Sequence, residues 1–146
     1  MTCRYFDSSA VLSELLIQHS PPAVGDLWLS ADERLCSSLL RIECIVAIRR
    51  AALRQGGTAE DAWVQERLGL LSDVLDELNF KPVDSAIEEI IRGAPALADC
   101  KTLDTIHVAT ALHFRTFVDG NFEVVTLDRK MRQLAAKLGF VVQPSE

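Results

Sequence analysis

A chain of 146 residues, 49% of them hydrophobic, predicts one domain spanning residues 1–146 with a substantial core. The formal net charge of −6 speaks against a protein that holds nucleic acid by a bulk positive field. No apolar run approaches the ~20 residues of a membrane-spanning helix, because Glu43 interrupts the most apolar window, Ile42 to Ile48.

Asp7 follows Met1 too closely for a charged region and an apolar leader, so secretion is not expected. Cys3, Cys36, Cys44 and Cys100 form no Cys-x-x-Cys pair and have no histidine at zinc-binding spacing. They read as reduced thiols, mostly core filler, in a cytoplasmic protein.

Tyr5-Phe6 followed by Asp7-Ser8-Ser9 and a helical run from Ala10 to Leu16 predicts a short strand passing straight into a helix. Pro21-Pro22 break the chain before a second helix, Ala23 to Leu29. Arg34 to Ser37 reads as a strand. Ser37 or Ser38 can cap the helix that contains Glu43 and stops at Gln55-Gly56-Gly57. Thr58, with Asp61 three residues on, opens a helix whose apolar stripe runs from Trp63 to Leu78.

Phe80 to Val83 then suggests an edge strand, since Pro82 lacks a donor. Ala86 to Ile91 forms a helix, Gly93 to Cys100 an irregular connection, and Thr102 opens a nearly all-apolar helix. Glu123 to Leu127 is the clearest strand. Asp128 begins a helix ended by Gly139, and Phe140 to Val142 is a last strand. The alternation implies a three-layer α/β/α fold around a parallel sheet of about five strands.

In such sheets functional groups collect beyond the carboxyl ends of the strands. Asp7 and Asp128 follow strands, Glu43 lies just over a turn into the helix after the second strand, and Asp104 lies in the first turn of the apolar helix. Taken singly, Asp7, Asp104 and Asp128 are explained as helix caps or favourable charges at helix N-termini. Glu43 stands between Ile42 and Cys44, where a carboxylate needs a partner; Arg41 or Arg49 could supply one. Several carboxylates converging on one pocket favour Mg²⁺ or Mn²⁺, and with them phosphoryl transfer by an activated water.

These segments resemble the motifs of the PIN domain family, especially the VapC-type toxin ribonucleases of toxin-antitoxin pairs. Tyr5-Phe6-Asp7-Ser8-Ser9-Ala10 resembles the opening strand, Leu39-Leu40-Arg41-Ile42-Glu43 the second motif, Leu103 to Ala111 the third, and Val125-Thr126-Leu127-Asp128 the last. The resemblance implies five parallel strands, Mg²⁺ with Mn²⁺ as substitute, and hydrolysis of RNA. Asp7 would be the central ligand, Asp104 and Asp128 further direct or water-mediated ones, and Glu43 would complete the shell or orient water. It also implies a cognate antitoxin partner, seated on apolar residues between Val11 and Leu29 or Trp63 and Leu78, which are candidates for a homodimer face as well.

Supporting roles stay open. Thr126 would orient Asp128 or a phosphate, or is simply a good strand former. Ser8 and Ser9 could offer hydroxyls or backbone amides to the site, though a helix cap suits them better, and His107 suits a satisfied, buried histidine better than a catalytic base. His19 and His113 carry no functional signal, and Trp28 and Trp63 look like core. The row Arg129, Lys130, Arg132 and Lys137 could steer phosphates or be a solvated face. Two rival functions are a phosphatase with Asp7 as nucleophile, disfavoured by Ser9 where a second acid is expected, and a non-catalytic PIN-fold binding module.

Overall fold

The computed structural model describes residues 1–16 and 22–145. Pro21 and His19, singled out above, lie outside them. The elements are β1 (Thr2–Phe6), α1 (Ser8–Leu15), α2 (Pro22–Leu29), β2 (Glu33–Ser37), α3 (Leu39–Arg54), α4 (Ala62–Asp76), β3 (Asn79–Lys81), α5 (Ser85–Arg92), a 3-10 helix (Pro95–Asp99), α6 (Thr102–Arg115), β4 (Asn121–Val125), α7 (Arg129–Lys137) and β5 (Val141–Gln143).

All strand pairings are parallel, and the sheet order is β3-β2-β1-β4-β5. The expected five-stranded, three-layer architecture is what forms, with β3 at an edge and Pro82 just past its end. The chain grows outward from β1 to β3, then returns to the other side of β1 as β4. The switch point therefore lies between β1 and β4, where Phe6 pairs with Val125.

Strand alternation builds the two helical layers. Cys3, Tyr5, Leu35 and Val124 face one side, packed with Ile87 of α5, Leu97, Val108 of α6 and Met131 of α7. Phe6, Cys36 and Val125 face the other, packed with α1, α2, α3 and α4. Cys3, Cys36 and Cys44 are fully buried, and the four thiols are unpaired. Among the described residues no helix is long and apolar enough to cross a membrane.

Several boundaries differ from the sequence reading, each for a local reason. Ser38 occupies the cap position of α3 without a side-chain bond; the Ser37 hydroxyl accepts from the Leu39 N–H instead, at 3.1 Å. Asp61, rather than Thr58, caps α4 by accepting from the Val64 N–H. The stretch expected to be irregular contains the 3-10 helix Pro95–Asp99, with proline at its first turn. β4 stops at Val125, short of the expected Leu127, although the Thr126 N–H still donates to the Gln143 carbonyl of β5 at 3.1 Å.

Candidate active site

Asp7 ends β1 and caps α1. Its carboxylate is 3% exposed and takes three hydrogen bonds: Ser9 Oγ donates to Oδ1 at 2.6 Å, the Ala10 N–H to Oδ1 at 3.1 Å, and Thr126 Oγ1 to Oδ2 at 2.6 Å. The two hydroxyls are themselves oriented. The Leu127 N–H donates to Ser9 Oγ at 2.9 Å, and the Asp128 N–H donates to Thr126 Oγ1 at 3.1 Å. The end of β4 is thereby stitched to the end of β1 at the switch point. Burial pushes the Asp7 carboxyl above its usual range, and the bonds from Ser9 and Thr126 oppose that shift by stabilising the anion.

Glu43 sits on α3, in the helical layer opposite α6, with its side chain 18% exposed. Its partner is His107 of α6, not Arg41 or Arg49: Glu43 Oε1 contacts His107 Nε2. Arg41 lies over the Phe80 ring, 5.1 Å from its centroid, and Arg49 is exposed. On its other side His107, 2% exposed, bonds through Nδ1 to the Tyr5 hydroxyl at 2.7 Å. The histidine is thus satisfied and buried, and it links the strand before Asp7 to Glu43 across the two helical layers.

Asp104 is half-buried in the first turn of α6 and does not cap it; the cap position is Lys101, with no side-chain bond. Burial raises the Asp104 carboxyl first, then the charge of Asp128, with Glu43 adding to it. Asp128 and Glu43 are thus each within electrostatic range of Asp104. Cys44 links Asp7 to the same field: burial, then the charges of Glu43 and Asp7, push its thiol up to about 12. Asp128 is exposed and caps α7, accepting from the Met131 N–H at 2.8 Å. The cap reading therefore holds for the geometry of Asp7 and Asp128, and Asp104 fits its other half, a negative charge in the first turn of a helix.

The donor set suits a hard divalent cation. Among the described residues no three His, Cys, Asp or Glu side chains stand close enough to cage a metal ion. A closed protein cage is not what Mg²⁺ requires, since it is commonly held by one or two carboxylates and keeps several waters. A carboxylate offers about four lone-pair sites, so the three hydrogen bonds on Asp7 leave room for one further bond. Asp104 and Glu43 Oε2 accept no hydrogen bond among the described residues.

From Glu43 a groove of about 450 Å³ continues along α3, lined by Ser8, Ile42, Leu103, Arg50 and Arg54 among others. Glu43, Ala47, Arg50 and Arg54 follow the i, i+4, i+7, i+11 stripe of one helix face. Neither guanidinium has an anionic partner among the described residues. The basic row on α7 is less available than its sequence suggests: Arg132 donates to the carbonyls of Thr126 at 2.7 Å, Gln143 at 3.1 Å and Pro144. Lys137 lies 3.5 Å from Asp99, while Arg129 and Lys130 are exposed.

Sequence reasoning reached Asp7, Glu43, Asp104 and Asp128. It missed the role of Tyr5, preferred a helix cap to a site hydroxyl for Ser9, and assigned Thr126 to Asp128 or a phosphate; the Thr126 hydroxyl does accept from the Asp128 N–H, and its bond to Asp7 is what was missed. A signal existed: Ser9 and Thr126 each stand two residues from an acidic residue at the ends of strands that a parallel sheet can make neighbours.

A parallel five-stranded sheet between two helical layers, with carboxylates at its switch point, defines a class of α/β proteins with an acidic functional end. The PIN domain family model matches residues 4–137, and the chain belongs to that family. No match is found among curated proteins. Among solved structures the fold is similar to a toxin-antitoxin complex from Klebsiella pneumoniae, with a TM-score of 0.68, 17% identity and 98% of each chain covered. It is similar to VapBC from Salmonella typhimurium bound to DNA, with a TM-score of 0.66, 14% identity and 98% of each chain covered. VapBC2 from Rickettsia felis, bound to a promoter DNA fragment, has a TM-score of 0.66 at 9% identity, with 97% of each chain covered.

Proposed function

We propose that this chain is a metal-dependent endoribonuclease that hydrolyses RNA phosphodiester bonds with water as the nucleophile, and is the VapC-type toxin of a toxin-antitoxin pair. The observation that carries the reading is the Asp7 carboxylate, buried at the switch point and clamped by two oriented hydroxyls, with Glu43 sharing its field at Cys44 and Asp104 in range of Glu43.

Asp7, Asp104 and Asp128 would hold Mg²⁺ or Mn²⁺, with Glu43 completing the shell or orienting water. A divalent cation in this place supplies Lewis acidity and offsets phosphate charge. The protein's own groups do the rest. Ser9 and Thr126 keep both Asp7 oxygens fixed, so no reorganisation is needed when charge develops nearby. Burial makes each charge in the pocket count for more than it would in water.

RNA runs from the pocket along α3, with Arg50 and Arg54 taking backbone phosphates. Guanidinium groups match phosphate geometry, and their local positive charge explains how a chain of net charge −6 accepts an anionic substrate. That the solved neighbours are toxin-antitoxin complexes supports an antitoxin partner and oligomerisation, which in this reading is a homodimer; an acidic protein suits a basic partner. Action in the cytoplasm belongs to the same reading.

Mn²⁺ titration followed by electron paramagnetic resonance tests the site. Wild type binds, and Asp7→Asn and Glu43→Gln bind more weakly. No binding at millimolar Mn²⁺ would overturn the nuclease in favour of a non-catalytic binding module.

A further inference from the structure

We propose that Tyr5 and His107 are positioning residues: the buried phenol fixes the imidazole as its Nε2–H tautomer, which aims a single donor at Glu43 Oε1 and leaves Oε2 facing the acidic pocket. What Glu43 does there rests on the nuclease reading above; how it is held does not.

Three observations carry this inference. Tyr5 is fully buried, with its hydroxyl 2.7 Å from His107 Nδ1. His107 is 2% exposed, so neither ring nitrogen has water as an alternative partner, and its second nitrogen contacts Glu43 Oε1. The Tyr5 and His107 rings meet edge-on, with centroids 6.1 Å apart and planes at 72°, and a phenol keeps its proton at neutral pH. A phenol has one O–H to give. Directed at Nδ1, it makes that nitrogen an acceptor and leaves the ring proton on Nε2. Which ring nitrogen faces the functional group is set by the bond that the other one makes.

The arrangement also explains a placement. Tyr5 and Phe6 point to opposite faces of the sheet, and only Tyr5 faces the α6 layer. Glu43 belongs to the other helical layer, so its link to His107 joins the layers at the carboxyl edge of the sheet. A long, rotatable glutamate side chain standing at the mouth of a groove is thereby held at one oxygen.

The test begins on the metal-free protein. A long-range ¹H–¹⁵N spectrum of the imidazoles, with His107 assigned by its loss in His107→Gln, should show a protonated Nε2 and an unprotonated Nδ1. Tyr5→Phe should shift that pattern toward the other tautomer. A wild-type ring with Nδ1 protonated, neutral or cationic, overturns the proposal.

Kinetics provide the second arm. His107→Leu should lower kcat on RNA roughly 10–100-fold, the usual effect of losing a group that orients a metal-site ligand, with KM little changed. His107→Gln, which keeps an N–H donor, should recover most of that loss. Tyr5→Phe should add nothing in the His107→Leu background, because it acts through the ring. If Leu and Gln are equally impaired, or Leu matches wild type, His107 is core packing and the proposal fails. A wild type that cleaves no RNA counts against the nuclease reading, while the tautomer still decides the positioning.

Discussion

Replacing Thr126 by valine removes a hydroxyl at nearly constant volume, in a position that is fully buried. The loss falls on two groups. Asp7 Oδ2 gives up a 2.6 Å bond to its carboxylate, and the Asp128 N–H gives up its acceptor. Hydrogen bonds to charged groups contribute about 1.5–3 kcal/mol. At about 2–4 °C per kcal/mol for a domain of this size, the first loss alone lowers Tm by roughly 3–12 °C.

The effect has a pH signature. Burial already holds the folded-state Asp7 carboxyl above the usual aspartate range, so its ionisation weakens the fold as pH rises through that range. Thr126 stabilises the ionised form, so Thr126→Val raises the folded value further. Its penalty is largest where Asp7 is ionised in both states and shrinks as pH falls toward the unfolded value. Calorimetric melts of both proteins in EDTA across pH 4 to 8 measure this. A deficit that stays constant with pH, or a Tm within about 1 °C of wild type at pH 7, would refute the clamp on Asp7.

Other outcomes follow from the same geometry. Arg50→Ala and Arg54→Ala should each weaken RNA binding and lower the slope of log affinity against log salt by about 1 in magnitude; unchanged slopes in filter binding would move the RNA path off α3. Cys36 and Cys44, both raised to about 12 with burial as the leading cause, should resist iodoacetamide in the native protein at pH 8, while the partly exposed Cys100 reacts before them. Mass mapping of the alkylated peptides decides this, and early labelling of Cys44 would contradict the packing beside Glu43.

What the sequence could reveal was whatever depended on local period. Asp7 follows a strand and opens a helix, and that junction is readable from Tyr5-Phe6-Asp7-Ser8-Ser9 because side chains alternate in a strand and recur every three to four residues in a helix. The same reading found five strands and their parallel sense. Glu43 was conspicuous because a carboxylate in an apolar stretch demands a partner, yet neighbouring arginines were the only candidates a linear reading offered. The true partner, His107, is 64 residues away, and the Tyr5 hydroxyl is 102 residues from His107.

Thr126 and Asp7, 119 residues apart, meet only because β4 inserts beside β1, a consequence of strand order that no single segment encodes. Arg132 read as a phosphate-steering or solvated cation because the carbonyls it binds belong to Thr126 before α7 and to the end of β5 and the residue after it. Thr126 at the end of β4 is of the same kind: its N–H stays on β5 while its hydroxyl turns to Asp7, and neither partner is near it in sequence.

The central claim is that the buried Asp7 pocket cuts RNA with the help of a divalent cation. Purified protein incubated with a mixed pool of structured RNAs in Mg²⁺ or Mn²⁺, with the cut ends mapped, tests it most directly beside an Asp7→Asn variant and an EDTA control. Defined cuts by wild type that vanish in both controls are the predicted result. Cleavage that persists in folded Asp7→Asn or in EDTA, or no cleavage of any RNA by a wild type that also fails to bind Mn²⁺, would contradict it.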